Sequence, residues 1–305
     1  MSEAKASLSA TLIGFGEAGS ILSAGLVKAG AQSVATYDIK FDQPDGPAMM
    51  ARAREAGVHP APTPAEAAAG AEIVIAALTA SASVDAARTA ATYIKPNQYY
   101  LDINSVSPGK KREAAAIIEG AGGRFVDVAV MAPVPPYGIK VPMVVGGKWG
   151  QAVADRLIPF GFRIEVFERE IGYVSAMKMC RSVMIKGIES LVIEAMTAAV
   201  AYDVVDQVIP SLDEYFKGHD WRWQAEYMFG RVVEHGERRA AEMREAAKTV
   251  AEIGMEPLMT SSTAARQQWI ADRIPRDTFK GKKPSLEDYA AAVRAALGKD
   301  PTAGR

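Results

Sequence analysis

The sequence predicts an α/β protein in two parts. A doubly wound parallel sheet is expected over residues 1–170, and an all-helical region over residues 171–305, with a long linking helix at the junction. Three observations carry this. Short apolar runs alternate with helical periodicity through the first half. A glycine-rich turn separates the first apolar run from the first helical segment, and an acid ends the second run. Strand signals all but stop near Gly172, where one long apolar helical pattern begins.

Taken in order, residues 9–13 read as a short apolar strand. Residues 18–29 read as a helix with Leu22, Leu26 and Ala29 on one face. A second strand, residues 33–37, ends at Asp38. A helix at 48–56 precedes a strand at 73–78, a helix at 83–93, a strand at 99–103 and a helix at 110–119. Gly120, Gly122 and Gly123 then break the chain before a strand at 125–128. Residues 143–145 and 164–167 are further strands. The C-terminal half reads as helices at 172–201, 204–215, 223–234, 237–253 and 262–273. Pro284-Ser285-Leu286-Glu287-Asp288 is a capped start for a last helix, and the charged end, residues 298–305, is expected to be mobile.

Gly14-Phe15-Gly16-Glu17-Ala18-Gly19 fits Gly-x-Gly-x-x-Gly, and Asp38 lies nineteen residues beyond the last glycine. Strand, glycine turn, helix, strand and acid together form the fingerprint of a Rossmann-type dinucleotide site. Gly14 allows the tight turn out of the strand, Gly16 lets the backbone approach a pyrophosphate, and Gly19 lets the helix pack close to the sheet. The helix N-terminus offers N–H groups and partial positive charge to phosphates. Asp38 suits the hydroxyls of an adenosine ribose and repels a 2′-phosphate, which favours NAD; nearby Lys40 leaves NADP open. Glu17 is suited to a solvent-facing place in the first helical turn, where the helix dipole favours an acid.

Composition narrows the field. Of 305 residues, 49% are hydrophobic and 23% charged, and the net charge is −1, so no global charge bias points to nucleic acid or a membrane surface. The single cysteine, Cys180, rules out an internal disulfide and fits a reducing, cytoplasmic setting. It lies in an apolar helical stretch and is expected to be a small core residue, as are Met177, Met179 and Met184. Residues 1–5 show no apolar signal region, and no apolar run approaches transmembrane length. His59, His219 and His235 are scattered, so no metal site is expected.

On the long helix, Lys178, Arg181, Ser182 and Lys186 share one stripe by i, i+3 and i+4 spacing. The helix is otherwise apolar around its circumference, which predicts burial. Buried basic residues need partners. The stripe therefore reads as facing an anionic substrate between the domains, as paired with acids such as Glu189 or Glu194, or as a solvated face. The aromatic cluster Tyr215, Phe216, Trp221, Trp223, Tyr227 and Phe229 reads first as packing, in the helical core or a dimer interface, and second as a pocket lining.

Four segments in order resemble the β-hydroxyacid dehydrogenases. They are Gly14 to Gly19, Asp102-Ile103-Asn104-Ser105-Val106-Ser107-Pro108, Asp127-Val128-Ala129-Val130, and Gly172 with Lys178. That superfamily includes 3-hydroxyisobutyrate and 6-phosphogluconate dehydrogenases. The C-terminal half, particularly residues 178–183 and 238–257, resembles a bacterial subgroup whose phosphogluconate-dehydrogenase-like helical domain lacks an assigned function. The resemblance implies that Lys178 is the catalytic lysine, taking the hydroxyl proton when neutral and returning it in the reducing direction. Such a role near neutral pH needs a pKa lowered by burial or by a like charge such as Arg181. It places Leu78, Thr79, Asn104 and Ser105 beside the cofactor, with Ser105 also toward substrate. It implies at least a dimer through the helical domain. Read locally, Asn104 to Pro108 is also a capped turn into the next helix.

The departures concern the substrate. Ser182 stands four residues after the lysine where the family has Asn. Met131-Ala132-Pro133 replaces Ser-Gly-Gly, and Pro133 has no N–H to offer a carboxylate. Val174 replaces the second glycine of a Gly-x-Gly. Ala241, where the family often carries a lysine near the cofactor, cannot take that role, though Arg238 or Arg239 can be considered for it. With Arg181 as a planar anion-binding fork, Met131, Ala132, Pro133, Lys178, Arg181 and Ser182 point to a larger or less polar substrate that still bears an anion. The expected activity is NAD(P)-dependent hydride transfer to or from a hydroxy acid. The alternatives are an imine reductase and a non-catalytic NAD(P)-binding regulator.

Overall fold

The computed structural model describes residues 7–297, apart from the side chain of Glu194, so the chain start and the charged end at 298–305 lie outside the described residues. The chain divides into two compact units, Met1–Met179 and Cys180–Arg305.

The first unit holds an eight-stranded sheet. Its elements are β1 (Ser9–Ile13), α1 (Glu17–Lys28), β2 (Ser33–Tyr37), α2 (Gly46–Glu55), β3 (His59–Pro60), α3 (Pro64–Ala68), β4 (Ile73–Ala76), α4 (Ser83–Ala90), β5 (Tyr99–Asp102), α5 (Pro108–Gly120), β6 (Arg124–Val130), β7 (Pro142–Gly146), α6 (Gly150–Leu157) and β8 (Arg163–Phe167). The strand order is β3-β2-β1-β4-β5-β6-β7-β8. The direction of winding reverses at β1 and β4, which opens a crevice beyond their C-terminal ends.

Both sheet faces are covered. Leu12, Ile75, Leu101 and Val128 face Leu22 and Leu26 of α1 and Val153 and Leu157 of α6. Val74, Tyr100 and Phe125, at the alternate positions of β4, β5 and β6, pack on the other side with Ala87, Ala114, Ala115 and Ile118 from α4 and α5. This period of two, apolar on both faces, is what a doubly wound sheet requires.

The sequence pattern predicts a parallel sheet, and every strand pair is parallel except one: β7 runs antiparallel to β6, with Val130 opposite Met143. The connection at 131–141 carries no crossover α-helix, and without one the chain returns beside β6 in the opposite sense. Periodicity also missed β3, α3 and α6, which are too short to show a period clearly; Thr63 caps α3 by accepting the N–H of Glu66.

The long helix α7 (Tyr173–Ala201) contains the division between the units. The second unit continues with α8 (Val205–Tyr215), α9 (Trp221–Glu252), α10 (Leu258–Arg273) and α11 (Leu286–Ala296). Its core is built from Ile193, Met196, Phe229, Val232, Ile270, Leu286 and Val293. The two helices expected at 223–234 and 237–253 are one run, α9, kinked where His235 leaves helical geometry (φ −128°). The next residue is Gly236, where a Cβ would stand 2.9 Å from the Gln267 carbonyl oxygen of α10, so a glycine is needed for this approach.

The expectation that α7 is buried all round is corrected. Val174, Met179, Ile193 and Met196 are buried, but Cys180, Met184, Ile185 and Leu191 are exposed. An apolar pattern reports side-chain chemistry; burial depends on what packs against each face. Of the aromatic cluster only Phe229 is fully in the core. Tyr215, Phe216, Trp223 and Tyr227 are exposed, Trp223 and Tyr227 stacking at 5.3 Å.

Candidate functional site

The glycine turn leaves the C-terminal end of β1. Gly14 adopts φ +103°, and a Cβ there would stand 2.2 Å from the Ala77 carbonyl oxygen; at Gly19 a Cβ would stand 2.0 Å from that of Gly14. Side chains are excluded at both. At Gly16 a Cβ would meet nothing within 4 Å, so the backbone there faces open space. Gly16 is also the N-cap of α1 and offers no side chain to its first turn. Glu17 is exposed in that turn. A backbone open at Gly16, at the positive end of a twelve-residue helix, fits a pyrophosphate.

Asp38 at the end of β2 is fixed by two backbone donors. Its Oδ2 accepts the Phe15 N–H at 2.7 Å and its Oδ1 accepts the Lys40 N–H at 2.9 Å. The acid is thus tied directly to the glycine turn, and each oxygen keeps capacity to accept another hydrogen bond. The Phe15 ring is buried and meets Phe41 at 6.3 Å. Burial, then the charges of Asp42 and Asp38, raise the Tyr37 hydroxyl above its ordinary pKa. The Lys40 side chain is exposed.

The ends of β4 and β5 meet through Asn104. Its Oδ1 accepts the Leu78 N–H at 2.6 Å, while its own N–H and Nδ2 donate to Asp102 Oδ1 at 2.8 and 2.6 Å. Asn104 is buried, Ser105 half-buried and Thr79 exposed. Ser107 caps α5 at the Lys110 N–H, with Pro108 in the first turn, so the segment is also the capped turn that its sequence suggested.

Beneath it lies a cluster that the sequence reading missed. Ser83 Oγ donates to Asp102 Oδ2 at 2.8 Å. Lys111 Nζ stands 3.3 Å from Asp102 Oδ1 and 3.4 Å from Asp127 Oδ1, and all three side chains are essentially inaccessible. Asp127 in turn accepts the Gly172 N–H at 2.9 Å and the Ser175 hydroxyl at 2.6 Å. The available signal was positional. Lys111 falls on the same helical face as Ala114, Ala115 and Ile118, an apolar face on which a lysine needs buried acids.

Beyond β6, Met131 donates its N–H to the Pro142 carbonyl at 2.8 Å, and Val134 is buried. Pro133, Pro135, Pro136 and Tyr137 are exposed. Further along, Ile139 packs on α1, where a Cβ at Gly25 would stand 2.2 Å from Ile139 Cγ2. Met131 to Pro133 therefore open a stiff loop at the same sheet edge as the glycine turn, Asp38, Leu78 and Asn104.

Along α7, Lys178 is half-buried and follows Ser175 by three residues. Arg181 is exposed and Ser182 buried. Lys186 is buried and paired with Glu242 of α9. Burial lowers its pKa, Glu242 opposes that shift, and Arg239 and Arg238 add to it. Glu189 is paired instead with Arg239 and also receives Gln267 Nε2 at 3.4 Å. Along the stripe, then, Lys178 is half-buried, Arg181 is exposed, and Lys186 is buried and paired with Glu242. Arg239, considered in place of Ala241, is engaged by Glu189. Among the described residues no group of His, Cys, Asp or Glu is placed to hold a metal ion, and no helix is long and apolar enough to cross a membrane.

Comparison with known proteins places this geometry. Residues 9–132 match the NAD-binding domain of 6-phosphogluconate dehydrogenase, and residues 199–270 match a domain of unknown function. A conserved hypothetical protein from Sinorhizobium meliloti 1021 is 35% identical, covering 96% of this chain and 98% of that one, with a TM-score of 0.77. A conserved protein described as structurally similar to 3-hydroxyacid dehydrogenases is 31% identical over 86% of this chain and 96% of its own, at a TM-score of 0.69. The 3-hydroxyisobutyrate dehydrogenase of Mycobacterium tuberculosis shares the fold at 20% identity, covering 95% of this chain and 100% of that one, with a TM-score of 0.71. The chain belongs to the β-hydroxyacid dehydrogenase superfamily, in the branch that follows a 6-phosphogluconate-dehydrogenase-type NAD-binding domain with this helical domain of unassigned role.

Proposed function

We propose that the protein is an NAD(P)-dependent oxidoreductase that moves a hydride between nicotinamide and the hydroxyl-bearing carbon of a hydroxy acid or related anionic alcohol, with Lys178 as acid and base. The observation that carries this reading is one compact unit holding an open glycine turn, an acid tied to that turn, the Asn104 segment and Lys178. Nicotinamide, when bound, supplies the hydride acceptor or donor. The protein binds, orients and handles the proton. Gly16 and the first turn of α1 hold the phosphates, Asp38 holds the ribose, and Leu78, Thr79, Asn104 and Ser105 border the reacting end.

In the oxidising direction the C–H pair leaves as hydride, the O–H proton passes to a neutral Lys178 amine, and C=O forms. In the reducing direction the ammonium returns that proton to the oxygen. The Asp38 carboxylate, held at the end of β2 beside the glycine turn, supports NAD over NADP by repelling a 2′-phosphate. Met131, Ala132 and Pro133 cannot line up three backbone donors for a carboxylate, because Pro133 has none. Recognition of the anion then falls to Arg181, with Ser182 beside it in sequence, and the apolar loop favours a larger or less polar substrate than a short hydroxy acid. Exposed Met184, Ile185 and Leu191 on α7, with Ile253, Met255, Leu258 and Met259 near the junction of α9 and α10, support a homodimer through the helical domain.

A panel of hydroxy acids of graded length and polarity, assayed with both cofactors, tests the activity. Turnover that is lost in Lys178→Ala while NADH still binds establishes it. NADH binding without turnover on any member favours a regulatory role, and turnover of imines alone favours the reductase alternative.

A further inference from the structure

The geometry points to Asp127 as a positioning residue for Lys178, secured by Lys111, which ties it to the cofactor side of the site. This inference rests on the proposed role of Lys178. The Asp127 carboxylate sits at the head of α7. It receives the Gly172 N–H at 2.9 Å and the Ser175 hydroxyl at 2.6 Å, and Lys178 follows Ser175 by one helical turn. Gly172 adopts φ +102°, and a Cβ there would stand 2.8 Å from Arg112 Nη1 and 3.1 Å from Pro108 Cβ, so the approach of α7 to α5 is close and sterically restricted. The carboxylate thus sets where the first turn of α7 begins.

Lys111 supplies the second half of the device. Its ammonium lies between Asp127 Oδ1 at 3.4 Å and Asp102 Oδ1 at 3.3 Å. Asp102 holds Asn104 by its backbone N–H and side-chain Nδ2, and Asn104 holds the Leu78 N–H. One inaccessible ammonium therefore spans the segment expected beside the nicotinamide and the helix expected to carry the base. Such a cluster has a large desolvation cost, which only full hydrogen bonding offsets. Asp102 receives hydrogen bonds from Ser83 and Asn104, and Asp127 from Gly172 and Ser175, while Lys111 forms ion pairs with both carboxylates and donates to the Asp102 and Val128 carbonyl oxygens. An apolar core would hold β5, β6 and α5 together as well. What charged groups add is directional registration of the two segments that must flank the reacting carbon.

The test uses the full chain with Ser175→Ala, Ser175→Thr, Lys111→Met and Asp127→Asn. Amide hydrogen exchange of peptides spanning 99–106 and 172–178 needs no substrate. Ser175→Ala should speed exchange at 172–178 about tenfold, leave NADH affinity within about twofold, and lower kcat roughly ten- to a hundredfold with KM unchanged. Ser175→Thr, which keeps the hydroxyl donor, should recover most of both losses. Lys111→Met should speed exchange in both segments and weaken NADH; if it does not fold, Asp127→Asn replaces it with the same expectation. Unchanged exchange and kcat in Ser175→Ala overturn the positioning role. Loosening confined to 172–178 in the Lys111 or Asp127 variant overturns the link to the cofactor side. If Lys178→Ala keeps full turnover, the proposed base falls and hydrogen exchange alone decides whether the clamp exists.

Discussion

At the residue scale, the proposed chemistry separates into contacts with different kinetic signatures. Lys178→Ala removes proton transfer, so kcat should fall by roughly two or more orders of magnitude while NADH titrates as before. Arg181→Ala removes an anion contact made in both ground and transition states, so KM should rise more than kcat falls. Steady-state kinetics on the best substrate of the panel checks both. Gly16→Val should fold normally, because a Cβ at that position meets nothing within 4 Å. Its NADH affinity should nevertheless collapse in a fluorescence titration, since the side chain occupies the phosphate approach. Asp38→Ala should narrow the preference for NADH over NADPH, and tighter NADPH binding by the wild type would overturn the NAD assignment. Asp38 also braces Phe15 and Lys40. Its loss is therefore expected to cost some affinity for both cofactors. The glycine pattern and Asp38 were readable from spacing alone because each answers a local steric or electrostatic need. Lys111 and Asp127 were not read as a pair although they are near in sequence, because spacing does not show that β5, β6 and α5 bring their side chains together, and Ser175, which also binds Asp127, lies 48 residues further on.

At the scale of elements, α11 offers a test of local electrostatics. Ser285 and Asp288 form a capping box at its start, and Glu287 pairs with Arg222 of α9 at 2.8 Å. The Arg222 hydrogen bond, more than any other cause, holds the Glu287 carboxyl below its ordinary pKa. A carboxyl whose folded pKa is depressed contributes stability that is complete above its unfolded pKa and is lost as pH falls through the folded value. Glu287→Gln should therefore lower the thermal midpoint slightly near neutral pH, and the difference from wild type should vanish under acid conditions. The pair is half exposed, so the effect should be small and weakened by salt. A pH series of melting curves with and without added salt measures it. The capped start at Ser285 was legible in the sequence because a capping box is a contiguous signal. The kink at His235 and the continuity of α9 through it were not, because the neighbour that requires Gly236 is α10, contributed from further along the chain.

At the scale of the whole molecule, the helical unit leaves much apolar surface uncovered within one chain. Met184 is 64% exposed, Ile253 79% and Met259 65%. A homodimer through this unit predicts a sedimentation mass near twice that of the chain. Leu191→Lys together with Met259→Lys should shift it toward monomer without loss of NADH binding by the first unit. A wild-type monomer at micromolar concentration would overturn the dimer.

Period, spacing and turn chemistry by themselves determined the alternating strands and helices, the glycine turn with its acid, and the change to helices near Gly172. Each is set within some thirty residues by backbone geometry and apolar periodicity, so each is visible without a partner segment. Only the tertiary structure decided the antiparallel entry of β7, the exposed side of α7, the pairing of Lys186 with Glu242, and the burial of Lys111 between Asp102 and Asp127. Those features depend on which surfaces meet in space, whatever their separation in sequence. A buried charge is stable only where folding delivers its counter-charge, and no local pattern records that meeting.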